Sequence, residues 1–196
     1  MTGLMEDAYS IERIRDRMQI QDLLFRLVRA VDRRDYESLR AGFHPGSTDH
    51  HGAYVGDVDG YIAFSRERNA AIPASMHNLG NILIEFVSEH LALVESYVWS
   101  VQLYPPEARA ALQQFISGPP PAAPDGVNSL GCARYVDRIE RRDGAWKVIR
   151  RTVLMDWRLF VDANGSPIEF PMFETSARGP EDWLYQERRA LGLQQG

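Results

Sequence analysis

Asp32 and His77, 45 positions apart, are the residues whose types and settings point most directly to chemistry. Asp32 closes a stretch in which Leu24, Leu27, Val28 and Val31 recur at helical spacing. His77 opens an alternating run through Leu79, Leu83 and Val87. Each stands where an ordinary core takes an apolar side chain. A carboxylate aimed at an imidazole makes a general base that works near neutral pH. Taken singly, each has a plainer reading: His77 as a core histidine with its hydrogen bonds met, Asp32 as the cap of a following helix. A carboxylate at a helix C-terminus opposes the macrodipole by about 0.3–1 kcal/mol, which asks for a partner without naming it.

Other residues could line the same site. Ile149, Arg151, Val153, Met155 and Trp157 share one strand face by alternation. An arginine in that row must be paired, look into a wet pocket, or run its stem out to solvent. His44, His50 and His51 lie with Asp49 in one polar stretch. Their spacing fits neither a helical histidine pair nor a zinc signature, so a pocket rim or solvated loop is expected and no metal. His51, beside Gly52, is the one of these placed to touch a ligand. Tyr54, Tyr97, Trp99 and Trp157 could form an aromatic pocket or simply pack a core. Cys132 reads as a small apolar residue. No phosphate-binding glycine loop, nucleophile elbow or paired-cysteine motif appears, and no cofactor is expected.

The elements that must position these residues follow from spacing. Ser10 is a good N-cap for an amphipathic helix of about 20 residues ending near Asp32. Asp35 caps a short second helix stopped at His44-Pro45, and Asp57 a third that ends before Pro73. Residues 46–56 read as a loop with a short strand near Ala53 to Val55. After Pro73 the period changes to two. Strands are expected over 76–87 and 91–104, joined at Ser88-Glu89-His90, and over 128–142 and 145–160, joined at Asp143-Gly144. Glu107 to Ile116 can be helical, Gly118-Pro119-Pro120-Pro121 is a loop, and Gly179-Pro180-Glu181-Asp182 starts a last helix. Helices followed by an antiparallel meander indicate an α+β fold, three N-terminal helices against one curved sheet. Residues 1–160 form one domain, with 161–196 an extension that packs on it or at an oligomer interface. The stretch Phe160, Phe170, Met172 and Phe173 offers apolar area suited to a homodimer or homotrimer.

Composition sets outer limits. The 196 residues are 44% hydrophobic and 25% charged, as in a soluble globular protein. A net charge of −5 argues against a nucleic-acid partner. One cysteine cannot form an internal disulfide, which suits a reducing compartment. The first ten residues lack a basic segment and an apolar run, and no stretch approaches the roughly 18 apolar residues of a membrane helix. A cytoplasmic protein is expected.

Three segments carry a family resemblance. Ile20-Gln21-Asp22-Leu23, with Asp32 ten residues after Asp22, is similar to the first helix of the SnoaL-like branch of the nuclear-transport-factor-like superfamily. Met76-His77 through Asn81 to Glu85-Phe86-Val87-Ser88 resembles the strand that bears its catalytic histidine. Glu140-Arg141-Arg142-Asp143-Gly144-Ala145-Trp146-Lys147 resembles its closing hairpin. The branch includes polyketide cyclases, scytalone dehydratase and hexachlorocyclohexane dehydrochlorinase. The resemblance implies a cone-shaped α+β domain in which Asp32 and His77 meet as a dyad, an Asp32 oxygen within about 3.2 Å of a ring nitrogen, and Arg151 stands in the pocket. It implies a cofactor-independent lyase or isomerase acting on a small apolar, cyclic or carbonyl-bearing molecule. In it His77 is the base, Asp32 its support and Arg151 the stabiliser of developing negative charge, with His51, Tyr54, Asn81, Trp99 and Trp157 around the substrate. The sequence departs from the dehydrochlorinase at Leu27, where that enzyme has a lysine, so its substrate and leaving group do not carry over. The same fold also serves as a noncatalytic binding or assembly module, including the small subunit of ring-hydroxylating dioxygenases.

Overall fold

A computed structural model describes residues 9–119, 121–164 and 171–193. Two helices come first, α1 (Ile11–Asp32) and α2 (Tyr36–Ala41), then a hairpin of β1 (Phe43–His51) and β2 (Tyr54–Asp57), then α3 (Val58–Asn69). The chain continues through β3 (Ala74–Phe86), β4 (Leu91–Tyr104), a 3₁₀ segment (Pro106–Gln114), β5 (Val127–Arg142), β6 (Ala145–Asp162) and α4 (Trp183–Ala190). Ser10, Asp35 and Asp57 cap the first three helices, each accepting a main-chain N–H of the first turn. These side chains satisfy donors that have no partner within the helix.

The six strands form one curved, unclosed sheet in the order β2-β1-β6-β5-β4-β3. All neighbours are antiparallel except β1 and β6, which run parallel, so the sheet is mixed. The expected loop over 46–56 is instead the β1–β2 hairpin, turned at Gly52 with φ 68°. Its pattern is hard to read because the residues β1 buries after Phe43 and His44 are Ser47 and Asp49. Its order comes from backbone pairing to β6 on one side and β2 on the other. Asp143 and Gly144, at φ 51° and 80°, make the tight turn between β5 and β6.

The face turned toward α1 carries the core. Ile20, Leu24, Leu27 and Ala30 of α1 pack on Ile84, Val94, Ile139 and Val148 of the sheet. Each fully buried leucine contributes about 1.5–3 kcal/mol. A second cluster, Tyr104, Leu112, Ala123 and Val127, folds the 3₁₀ segment and the loop after it across the end of β4. Gly126 permits that crossing: at φ 99°, a Cβ there would meet the Tyr104 carbonyl oxygen at 2.5 Å.

β6 does not keep one alternation along its length. Its pairing with β5 slips once between Val148 and Arg150 and again between Met155 and Trp157. Each slip is a bulge, at Ile149 and at Asp156, that adds one residue and exchanges the strand's two faces. Trp146 and Val148 face the core, then Arg151, Val153 and Met155, then Arg158 and Phe160. No helix among the described residues is long and apolar enough to cross a membrane.

Candidate active site

Asp32 ends α1 with its carboxylate directed at the edge strand β3. Its Oδ1 lies 2.7 Å from His77 Nδ1, its Oδ2 accepts the His77 main-chain N–H at 2.7 Å, and Oδ1 also accepts the Ser75 hydroxyl at 2.9 Å. The expected contact of about 3.2 Å or less is met. Alternation puts Ser75 and His77 on one face of β3, opposite Gln102 and Ser100 of β4. Gln102 Nε2 donates to the Ser75 hydroxyl at 3.3 Å and Gln102 Oε1 accepts the Tyr104 O–H at 3.0 Å, so a row of polar groups backs the carboxylate. Burial alone would raise the Asp32 pKa. The hydrogen bonds and charge of His77, with the Ser75 bond, outweigh it and hold the pKa below the usual carboxylate range. A carboxylate only accepts, so His77 Nδ1 carries a proton, and in the neutral imidazole Nε2 is then the basic nitrogen.

The His77 ring lines a cavity of about 190 Å³. Its walls mix apolar Val98, Ala133, Val153 and Met155 with polar His51, Ser100 and Tyr135. An apolar cavity of about 150 Å³ admits benzene, so there is room for a substituted ring. A narrow inner extension reaches Leu27, Val31, Tyr61 and Arg151.

Arg151 is at that inner end, but its charge is already met. Its Nε and Nη2 bind the two oxygens of buried Asp137 at 2.8 and 2.7 Å, and its guanidinium lies 4.4 Å from the centre of the Tyr135 ring. Although burial opposes the charged form, Asp137 holds the Arg151 pKa above the usual arginine value. The paired reading of Arg151 is the one realised, which leaves it little net charge to offer a substrate anion. Burial pushes the Tyr135 phenol up to about 12, so it stays protonated and can donate. Among the described residues nothing hydrogen-bonds that hydroxyl.

His51 also lines the cavity, its ring stacked on Tyr61 with centroids 4.8 Å apart. Its Nδ1 stands 3.4 Å from Oδ1 of Asp49, too poorly aligned for a hydrogen bond, and both Asp49 oxygens are buried without a partner among the described residues. Burial, the largest effect, lowers the His51 pKa despite Asp49. His44 serves structure, its Nε2 2.9 Å from the Glu140 carbonyl.

Four expected substrate contacts are not brought to the cavity. Trp99 and Trp157 are on the other face of the sheet, 53% and 44% exposed, edge to face with centroids 5.6 Å apart. The bulge at Asp156 carries Trp157 out of the row that alternation from Arg151 gives it. Asn81 is exposed in the irregular step between Leu79 and Ile82 on β3. Tyr54 stacks on Phe64 and donates its hydroxyl to the Asp57 carbonyl at 2.7 Å, holding the β2–α3 corner.

Sequence reasoning missed Tyr135, Arg68, Arg158 and Arg178. The bulge that turned Trp157 out turned Arg158 in, and no residue type marks it. Arg178, outside any strand or helix, donates Nε to the Asp32 carbonyl at 2.8 Å and Nη1 to the Ile72 carbonyl at 2.7 Å. A position 146 residues from Asp32 gives no local signal.

Comparison with known proteins bears on the fold and the family. Among curated proteins none matches the chain. The chain is similar in structure to a candidate scytalone dehydratase from Novosphingobium aromaticivorans: TM-score 0.61, 20% identity, 87% of this chain and 95% of that one covered. It is similar to a hexachlorocyclohexane dehydrochlorinase (LinA) of type 2, with TM-score 0.65, 20% identity and coverage of 83% and 99%. A LinA-type3 dehydrochlorinase from Novosphingobium barchaimii gives TM-score 0.63, 20% identity and coverage of 82% and 97%. These neighbours have the nuclear-transport-factor-like fold. The SnoaL-like domain matches residues 12–152. With that match over most of its length, the chain belongs to the SnoaL-like family.

Proposed function

We propose that the chain is a cofactor-independent lyase or isomerase, dehydratase- or cyclase-like, that removes a C–H proton from a small cyclic or carbonyl-bearing molecule. The observation that carries this is the Asp32–His77 pair, with the ring against the cavity wall and its Nε2 without a hydrogen-bond partner among the described residues. His77 Nε2 takes the proton. Asp32, an unprotonated carboxylate held by three hydrogen bonds, fixes the tautomer and favours the imidazolium that forms. Tyr135 supplies a neutral donor for an enolate oxygen or departing group, and a buried donor aimed at developing charge is worth more than one in water. Arg151, neutralised by Asp137, holds Tyr135 in place. Two neighbours are named for removing water and hydrogen chloride, which supports elimination as the first reaction to try. A noncatalytic binding module has no need of an acid hydrogen-bonded to an imidazole.

The test is a set of hydroxylated and halogenated cyclic ketones incubated with the protein in deuterium oxide and followed by NMR. Elimination or deuterium incorporation lost in His77→Ala supports the reading. Activity equal in wild type and variant overturns it.

A further inference from the structure

Arg68 and Arg158 stand on the cavity wall with His77, and neither has a carboxylate partner among the described residues. Arg68, near the end of α3, is 7% exposed, and Arg158 is half-buried on the inward row of β6 after the second bulge. The Nε of each is buried without a hydrogen bond. Both guanidiniums lie against the Phe115 ring, at 5.4 and 4.6 Å from its centre, so one aromatic ring contacts two like charges. Arg158 has only neutral partners, donating Nη1 to Ser129 Oγ at 3.1 Å and interacting with the Tyr104 hydroxyl. Burial depresses its pKa, and the charge of Arg68 adds to the effect.

Asp137 is paired with Arg151, and Asp32 is hydrogen-bonded to His77 and Ser75, so neither carboxylate is bonded to Arg68 or Arg158. Asp49 makes no hydrogen bond among the described residues. Two guanidiniums with unused N–H donors therefore stand on the wall of a cavity of ring size. Leaving such groups unmatched is costly unless something that binds there matches them.

We propose that this cavity takes a small cyclic or carbonyl-bearing monoanion whose carboxylate is held by Arg68 and Arg158 while the reacting carbon faces His77. The inference rests on the proposed lyase or isomerase reading and names its substrate class. A carboxylate suits the planar fork of a guanidinium. Phe115 positions the two cations, and Val98, Ala133 and Val153 receive the ring.

Binding of benzoate and cyclohexanecarboxylate, each beside its neutral amide, is measured by calorimetry on the full chain, wild type and variants. Wild type is expected to prefer each acid over its amide by at least about tenfold. Arg158→Gln and Arg68→Met, shown folded by their melts, are expected to lose most of that preference. His77→Ala is expected to keep the preference while losing turnover, so failure of the base reading and failure of this one show in different measurements. The proposal is overturned if amides bind as well as acids, if neither acid binds at tens of millimolar, or if both arginine variants keep the wild-type preference.

Discussion

Arg178 donates its Nε–H to the main-chain carbonyl of Asp32, 2.8 Å away, and so fixes from behind the residue that fixes His77 from in front. The same guanidinium reaches the carbonyls of Val31 and Ile72 and the side chain of Asn69. It closes the C-terminal end of α1, where carbonyls lack helical partners and a cation is favoured. Burial lowers the Arg178 pKa to about 10, which leaves it charged at neutral pH.

Arg178→Met should therefore act on both stability and chemistry. Each carbonyl left buried without a donor costs about 1–3 kcal/mol. We expect a lower melting temperature, and a turnover loss larger than any change in ligand affinity, since the cavity wall itself is untouched. Unchanged melting would show that the C-terminal segment merely rests on α1.

His77→Ala and Asp32→Asn should fold and lose activity. General acid–base catalysis is typically worth about 10²–10⁴ in rate. Asp32→Asn keeps the shape of the pair but removes the charge that supports an imidazolium. Normal turnover by both variants, with normal melts, would make the pair structural.

Breaking the Arg151–Asp137 pair should cost stability first. Asp137→Asn or Arg151→Met leaves one buried charge uncompensated, a loss of about 3–5 kcal/mol. A double replacement by apolar residues should recover most of it. Denaturant unfolding of the three variants measures this. If Arg151→Met is as stable as wild type and selectively slow in turnover, the arginine meets substrate charge after all.

His51 gives stability a pH dependence. Burial, with Arg68 and Arg151 nearby, holds its pKa below the usual 6.5, so the unfolded chain binds a proton that the native chain refuses. Stability falls as pH drops from 6.5 toward that lower value and is unaffected by this group above 6.5. The lowered pKa of Asp32 adds a separate loss only below its usual 3.8. Melting measured from about pH 7.5 to 5 should slope downward in wild type and flatten in His51→Phe.

The outer sheet face should bury itself in a homodimer or homotrimer. Trp99, Val101, Trp157, Leu159 and Val161 are exposed together on β4 and β6, and Met172 and Phe173 are exposed as well. Phe160, expected with them, packs against the second core cluster, and Phe170 lies outside the described residues. Light scattering at micromolar concentration showing a monodisperse monomer would count against assembly.

The parts of the fold legible in the sequence are those with strong local signals. Ser10, Asp35 and Asp57 mark helix starts, Pro73 marks the change of period, and Asp143-Gly144 marks the last hairpin. Asp32 and His77 stood out because each interrupts an apolar pattern, although only resemblance suggested that they meet. The β1–β2 hairpin was hidden because its inward residues are polar and its order comes from distant strands. The bulges in β6 were hidden for a different reason: alternation read along one strand has no way to register an extra residue that only the partner strand reveals. That one step misplaced Trp157 and concealed Arg158.

The bulge at Asp156 marks a place where β6 can change length by one residue without changing what it presents to the chamber. Without Asp156, the Met155–Ala133 pair would be followed directly by Trp157–Cys132, so the indole would stay outward and Arg158 inward. Loss of a codon from a regular stretch of the strand would instead shift one flank by one place and exchange its two faces. Within this family, single-residue length differences at strand irregularities are therefore expected to be silent for ligand preference, and those in the regular stretches between them are not.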